Sequence, residues 1–134
     1  MSILEQDQSK PEKSLQPHYL FVDDDLSILN LFESFFSGSA AVSLAKDGVE
    51  ALDKVTTQSF DAIISDVDMP ILNGIDLFKS LHSADPSITT RFLFCTGHPS
   101  AELEHFCTQY QVRIISKPVS LKVLQEELTI LCKK

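Results

Sequence analysis

Short apolar runs alternate with amphipathic segments five times along this chain, and this alternation is the feature that most constrains its fold. The runs are continuously apolar, which is typical of strands that are covered on both faces of a sheet. Each run is followed by a segment with apolar residues at helical spacing. The sequence therefore predicts five strand-then-helix units, with strands at residues 19–22, 41–45, 62–65, 92–95 and 112–115.

Five such units predict an α/β fold with a doubly wound, flavodoxin-like, five-stranded parallel sheet flanked by five helices. Parallel strands need right-handed crossover connections, and these place helices on both faces of the sheet. We expect the strand order 2-1-3-4-5. In that order the chain reverses direction between strands 1 and 3, so a crevice opens at the carboxyl ends of those two strands.

The predicted helices begin at side chains that can accept a hydrogen bond from the first helical turn. Gly38 is predicted to end the first helix by adopting a positive φ. Pro86 is predicted to end the third helix, because the residue before a proline avoids helical angles. The predicted N-caps are Asp25, Asp47, Asn73, Ser100 and Ser120.

The length of 134 residues corresponds to about one domain, and a hydrophobic content of 43% is sufficient for a core. Residues 1–17 are polar, have mixed charge and contain Pro11 and Pro17, so we expect a flexible N-terminal tail. The predicted domain then covers residues 18–134.

Charge and cysteine content restrict the partners and the compartment. With 11 Lys and Arg against 19 Asp and Glu, the net charge of −8 argues against a general surface for nucleic acid or anionic membranes. No apolar stretch approaches the roughly 20 residues of a membrane span. The three cysteines are odd in number and lack metal-ligand spacing, which predicts reduced thiols in a cytoplasmic protein.

Acidic residues follow two of the predicted strands. Asp23 and Asp24 come directly after the first strand, and Asp66 comes directly after the third. Because these strand ends meet at one edge of the sheet, the three carboxylates are expected to share a pocket. They would repel one another without a cation, and hard oxygen ligands suit Mg2+. The chemistry implied is phosphoryl transfer, although residues 23–25 taken alone would more often form a solvated loop.

Four motifs, in this order, carry a family resemblance: FVDDD, DAIISDVDMPILNG, FLFCTG and IISKP. With them, residues 18–134 resemble the receiver domain of two-component response regulators. The resemblance implies that Asp66 accepts a phosphoryl group from a histidine kinase or a histidine phosphotransfer protein. It also implies that Mg2+ is held by Asp23, Asp24, Asp66 and the backbone carbonyl of Asp68.

The resemblance further implies that Thr96 and Lys117 contact the phosphoryl oxygens, and that the bond between Lys117 and Pro118 is cis. Lysine suits this role as a compact positive charge, and the Thr96 hydroxyl can turn toward a phosphoryl oxygen. A domain of this kind catalyses only its own phosphorylation and dephosphorylation. Its further partner would be a downstream protein target, and the resemblance allows a homodimer on phosphorylation.

Two positions depart from the common family pattern. Ile114 stands where an aromatic residue is frequent, three residues before Lys117, so a ring that moves inward on activation is missing. Asp68 lies two residues after Asp66, and its side chain is expected to face the phosphoryl site.

Two other functions stay open from the sequence. A haloacid dehalogenase-type phosphatase also uses an Asp-x-Asp pair after a strand, followed by Thr and Lys, but in such enzymes that pair opens the fold and an acidic motif follows the lysine. Here the acidic pair Asp23 and Asp24 comes first. A receiver-like interaction module that is not phosphorylated is the other alternative, and the presence of all five of Asp23, Asp24, Asp66, Thr96 and Lys117 argues against it.

Overall fold

The computed structural model describes residues 16 to 132, and within them five parallel strands alternate with five α-helices. The strands pair in the order β2-β1-β3-β4-β5, so the predicted order 2-1-3-4-5 is confirmed. The predicted tail lies outside the described residues except for its last two. The elements are β1 His18–Val22, α1 Leu26–Phe36, β2 Ala41–Ala45, α2 Gly48–Thr57, β3 Ala62–Ser65, α3 Gly74–Ala84, β4 Phe92–Thr96, α4 Ala101–Tyr110, β5 Arg113–Ser116 and α5 Leu121–Cys132.

The sheet separates two apolar clusters, as a doubly wound fold requires. Helices α2, α3 and α4 cover one face, where Phe78 and Leu103 pack with the strand residues Leu20 and Phe94. Helices α1 and α5 cover the other face, which includes Phe21. Because successive strand side chains point to opposite faces, β1 contributes to both clusters. The central strands β3 and β4 are buried along their whole length, which explains why their sequences are continuously apolar.

The edge strands and the first helix differ from the expectation of full coverage. Residues along β2 and β5 are mostly half-buried or exposed, because each edge strand has a neighbour on one side only. On α1, Leu31 and Phe35 are 52% and 42% exposed, although both belong to the apolar pattern that indicates the helix. That pattern therefore identified the helix but overestimated its buried face.

The predicted N-caps are confirmed. Asp25 accepts hydrogen bonds from the N–H groups of Ser27 and Ile28, and Ser120 Oγ accepts one from Val123 at 3.3 Å. The caps of α2, α3 and α4 are Asp47, Asn73 and Ser100, and each accepts a hydrogen bond from the first turn of its helix.

The prediction for Gly38 was wrong, and the end of α3 is more elaborate than expected. Helix α1 ends at Phe36 with Ser37 in right-handed geometry, and no described glycine has a positive φ. The Ser39 N–H bonds to the Phe36 carbonyl at 3.0 Å, so the chain leaves the helix through an ordinary turn. Helix α3 stops before Pro86 as predicted, and a short 3-10 helix, Pro86–Thr90, follows it.

Strand pairing brings the ends of β1 and β3 together. Val22 is opposite Ser65 in the parallel register, so the residues that follow them, Asp23 and Asp66, are neighbours at the carboxyl edge. The Asp66 N–H donates to the Val22 carbonyl at 2.9 Å, and the Asp23 N–H donates to the Ala45 carbonyl at 3.1 Å. These backbone hydrogen bonds hold both residues at the crevice. Within residues 16 to 132, no helix combines the length and apolarity needed to cross a membrane.

Candidate functional site

Three carboxylates converge at this crevice, as the sequence predicts. One ligand atom from each of Asp23, Asp24 and Asp66 lies within 4.8 Å of the others. Asp23 is buried, Asp66 is half-buried and Asp24 is exposed to solvent. The cluster therefore has a buried side and an open side.

Lys117 joins two of these carboxylates. Its Nζ donates to Asp23 Oδ2 at 2.6 Å and to Asp66 Oδ2 at 3.2 Å. The Lys117 side chain is 19% exposed, so solvent screens these contacts only in part. Sequence reasoning assigned Lys117 to the phosphoryl oxygens alone and missed its contact with Asp23. The bond between Lys117 and Pro118 is cis, as expected.

Burial and pairing act in opposite directions on these groups. Burial raises the pKa of Asp23 above its ordinary value, and the hydrogen bond from Lys117 only partly opposes that effect. Burial alone would lower the pKa of Lys117, but its contacts with Asp23 and Asp66 together raise that pKa. Lys117 is therefore held as a cation, and it offsets part of the cost of burying a charge on Asp23.

The donor set of this cluster fits Mg2+. Three carboxylates against the single ammonium of Lys117 leave a formal charge of −2, which one divalent cation balances. Carboxylate oxygens are hard ligands, and a site built from few of them leaves room for the waters that Mg2+ retains. The cluster could therefore hold this metal with its remaining positions open to a phosphate.

Asp66 is oriented by the backbone around it. Its Oδ1 accepts a hydrogen bond from the Val67 N–H at 2.7 Å, and its carbonyl accepts one from Ser65 Oγ, also at 2.7 Å. The Asp66 side chain is 12% exposed, so it is restrained but still reachable from solvent. The fully buried Ser65 hydroxyl was not identified from sequence, because a small polar residue at the end of an apolar run is not distinctive.

Thr96 lies beside Lys117 at the end of β4. The Lys117 N–H donates to the Thr96 carbonyl at 2.8 Å. Thr96 is fully buried, and its Oγ1 accepts a hydrogen bond from the His98 N–H at 3.2 Å. The hydroxyl is therefore tied to the loop that leads into α4.

The predicted site residue Asp68 and the predicted helix cap Asp25 both lie at the periphery. The Asp68 side chain is 69% exposed, and its Oδ2 is 3.9 Å from His98 Nδ1 across the rim of the pocket. Asp68 is not part of the described carboxylate cluster, so its side chain is a rim group, and the role of its carbonyl stays a prediction. Asp25 is used as the cap of α1, although its N–H also donates to Asp23 Oδ1 at 2.9 Å.

A reachable aspartate, a neighbouring lysine and an acidic cluster suited to Mg2+, all at the crevice of a 2-1-3-4-5 sheet, define a phosphoacceptor type of signalling module. Comparison with known proteins agrees. The family described as response regulator receiver domain matches residues 19–129. The chain therefore belongs to the response regulator receiver domain family.

Individual relatives support the same assignment. A response regulator receiver protein of Anaeromyxobacter is 31% identical over 105 residues, which cover 77% of this chain and 43% of that protein. The receiver domain of the Francisella response regulator 1452 is 30% identical, with a TM-score of 0.78, covering 88% of this chain and 98% of that one. The chemotaxis protein CheY4 of Vibrio cholerae is 28% identical, with a TM-score of 0.77, covering 87% and 98%.

The chain spans less than half the length of the first curated relatives that it matches, from 19% of a transcriptional regulatory protein ZraR of Klebsiella oxytoca to 43% of the Anaeromyxobacter protein. The similarity therefore establishes a receiver domain, which is a signalling module of two-component systems. It also favours this function over the phosphatase alternative, in agreement with the position of Asp23 and Asp24 before Asp66.

Proposed function

We propose that Asp66 is the phosphoacceptor of this domain and that it receives a phosphoryl group from a histidine kinase or a histidine phosphotransfer protein. The observation that carries the proposal is the position of its carboxylate. Among residues 16 to 132, Asp66 alone combines a place in the acidic cluster, a contact with Lys117 at 3.2 Å and a side chain that solvent reaches at the end of a central strand.

The proposed reaction is a transfer between two side chains. A carboxylate oxygen of Asp66 attacks phosphorus, and a P–O bond forms as the P–N bond to the donor imidazole breaks. The electron pair of that bond leaves with the imidazole. In dephosphorylation, water attacks the phosphorus of the acyl phosphate and inorganic phosphate is released. This step restores the carboxylate of Asp66. The domain thus catalyses only its own phosphorylation and dephosphorylation.

Asp23, Asp24, Asp66 and the carbonyl of Asp68 would hold Mg2+. When bound, the metal supplies positive charge against the phosphoryl oxygens. Lys117 supplies the other positive charge, and in the proposed phosphorylated state it exchanges its Asp66 contact for a phosphoryl oxygen while it keeps Asp23. The Thr96 hydroxyl donates to a second phosphoryl oxygen. Lys117 and Thr96 would thus both stabilise negative charge on the transferred phosphoryl group.

The phosphodonor has an apolar surface available beside this pocket. A groove of about 400 Å³ lies between α1 and the start of α5, and its lining residues include Ile28, Phe32, Leu121 and Lys117. In the proposed complex, the protein that presents a histidine to Asp66 would cover this groove, which the exposed Leu31 also lines.

We further propose that residues 18–134 form the receiver unit, that it acts in the cytoplasm, and that its phosphorylation changes affinity for a downstream protein or a second copy. The free thiols Cys95, Cys107 and Cys132 support the compartment. Transcription control, named for the ZraR relative, is one output that a longer protein could have.

The proposal is tested by incubating the chain with acetyl phosphate and Mg2+, followed by intact-mass analysis. One added phosphoryl group is expected, and chelation of the metal should prevent it. A chain that stays unmodified with acetyl phosphate, phosphoramidate and histidine kinases alike would instead be an interaction module of the receiver fold that is not phosphorylated.

Asp24 should dominate the affinity for Mg2+ among the exposed acidic residues. Asp24→Asn removes a charge from the cluster, whereas Asp25→Asn removes the same charge beside it and keeps a good helix cap. A charge pair near a protein surface is worth about 4 kcal/mol at contact, so Asp24→Asn should weaken Mg2+ binding by more than about tenfold. Titration calorimetry measures the difference, and equal losses in both variants would show that the cluster is not the metal site.

Thr96 should transmit the phosphoryl signal to the loop of residues 97–100. Residue 114 is an isoleucine, half-buried against the core, and it has no aromatic ring that could move to report the signal. The His98 N–H bond to Thr96 Oγ1 changes when the hydroxyl turns. Beryllofluoride with Mg2+ should therefore shift the amide NMR signals of residues 96–101 more than that of Ile114.

The matched variants are Thr96→Ala and Thr96→Ser. The first should suppress the loop shifts while Asp66 can still be phosphorylated, and the second, which keeps the hydroxyl, should retain them. Large shifts at Ile114 that survive Thr96→Ala would mean that the signal follows another route.

A further inference from the structure

Ile71 has a backbone conformation that its side chain disfavours. Its φ is 72°, and positive φ is a genuine outlier for a β-branched residue because Cβ crowds the carbonyl. The Leu72 N–H donates to the Pro70 carbonyl at 2.7 Å, which closes a γ-turn centred on Ile71. The γ-turn with positive φ is the rare and strained form. Glycine would adopt it without the steric cost.

Within the part of the chain that the structure describes, the Ile71 side chain makes little contact that would compensate for this strain. It is 81% exposed, more than any other large hydrophobic side chain among residues 16 to 132. Strain of this kind persists where the surroundings determine the conformation, and it is concentrated at functional sites. Any benefit of an isoleucine over a glycine at this position would therefore come from contact with another molecule.

The neighbours of Ile71 hold the loop in this conformation. The Gly74 N–H donates to the Val67 carbonyl at 2.9 Å and joins the two ends of the loop. Gly74 packs so closely on the Asp66 carbonyl that a Cβ there would overlap it, and Gly48 packs in the same way on Leu72. The turn is thus fixed on both sides without any contribution from the Ile71 side chain.

The loop that carries Ile71 begins at the phosphoacceptor. Val67, which holds Asp66 Oδ1 through its N–H, is the first residue of the loop. The exposed rim carboxylate Asp68 belongs to the same loop, three residues before Ile71, so Ile71 is an apolar side chain in a loop that also carries an acidic rim group. Any protein that brings a histidine within bonding distance of Asp66 must cover this edge of the sheet, whereas a small phosphodonor need not.

We propose that Ile71 is a specificity residue that anchors the protein phosphodonor, by inserting its side chain between apolar residues of the segment that carries the phosphohistidine. The inference rests on the proposed function of Asp66. The strained turn holds the Ile71 side chain outward, where a docking protein meets it. In this proposal the strain lowers the stability of the free domain, and the contact made by Ile71 raises its affinity for the donor protein in the transfer complex.

The test compares two donors in the same variant of the full chain. The protein donor is the purified histidine kinase of the source organism that phosphorylates the wild-type chain fastest, and the small donor is acetyl phosphate. For Ile71→Gly, the ratio of the kcat/KM for the kinase to the rate with acetyl phosphate should fall about tenfold, the loss expected when a buried aliphatic side chain is removed. The same variant should unfold at a temperature about 2 to 4 °C higher.

Two further variants control for other causes. Ile71→Leu keeps an apolar side chain and should retain at least half of the donor ratio. Ile130→Asn removes an exposed isoleucine near the end of α5, away from the site, and should leave both rates unchanged. A rise in thermal stability of Ile71→Gly with an unchanged donor ratio would overturn the anchor, and so would an equal loss in Ile130→Asn.

A failure of Ile71 as the anchor can be distinguished from a failure of Asp66 as the phosphoacceptor. Wild-type chain that takes up phosphate on Asp66 from a kinase, together with a normal donor ratio in Ile71→Gly, would refute the anchor and leave the phosphoacceptor intact. A wild-type chain that no donor phosphorylates would refute both.

Discussion

Asp66→Asn should abolish phosphorylation by acetyl phosphate, whereas Asp68→Asn should still take up one phosphoryl group. Both changes remove one carboxylate, and the two residues belong to the same motif. Of these two residues, only Asp66 contacts Lys117 and belongs to the carboxylate cluster, while the Asp68 side chain lies at the rim with 69% exposure. An amide oxygen is a poor nucleophile toward phosphorus, so the loss in Asp66→Asn should be complete within detection.

Intact-mass analysis at several times of incubation measures this difference, and peptide mapping after borohydride reduction locates the modified residue. A phosphorylated Asp66→Asn would place the acceptor on another carboxylate, for which Asp24 is the exposed candidate in the cluster. Loss of uptake in Asp68→Asn would show that the rim carboxylate is required, contrary to the proposed use of its backbone carbonyl alone.

Much of this site follows from the order of the strands. Asp23 and Asp66 are far apart in sequence, yet adjacent parallel strands that end together must bring them together, and the pairing of Val22 with Ser65 does so. The caps were equally predictable, because an N-cap such as Asp25 or Asn73 acts within one helical turn of itself. Local chemistry and strand adjacency are thus readable in a single sequence.

The features that were missed depend on distance and packing. The 2.6 Å contact between Lys117 and Asp23 joins residues 94 positions apart, and no spacing pattern encodes it. The 42% exposure of Phe35 depends on what packs against α1, which the periodicity of α1 alone does not contain. The positive φ of Ile71 could not be predicted either, because the local preference of isoleucine is against it and the surrounding packing determines the conformation instead.

Gly38 and Gly74 show the same limit for a single residue type. Gly38 was interpreted as a conformational device, but its φ is not positive and a Cβ there would meet nothing within 4 Å. Gly74 is required for space, since the carbonyl of Asp66 occupies the position that a Cβ would take. A sequence shows that a glycine is present, and only the packing shows which of its properties is used.

Gly74→Ala should therefore be strongly destabilising, whereas Gly38→Ala should be neutral or slightly stabilising. The added methyl group at Gly74 meets the backbone of Asp66 and Val67, which cannot move without displacing the end of β3. Overpacking of this kind costs about 1–3 kcal/mol, and we expect the upper part of that range because the obstacle is backbone. At Gly38 the reduced freedom of the unfolded chain should contribute about 0.4–1 kcal/mol of stability.

Urea unfolding followed by circular dichroism measures both changes as shifts of the midpoint at constant slope. The same displacement should reach the chemistry, because Gly74 contacts the backbone of the proposed phosphoacceptor itself. Folded Gly74→Ala should accordingly take up phosphate from acetyl phosphate more slowly than Gly38→Ala, even where the denaturant data show it to be mostly native. Equal stability of the two variants would mean that the loop of residues 67–74 relaxes away from Asp66, and the strained turn at Ile71 would then have lost the rigid support that holds it.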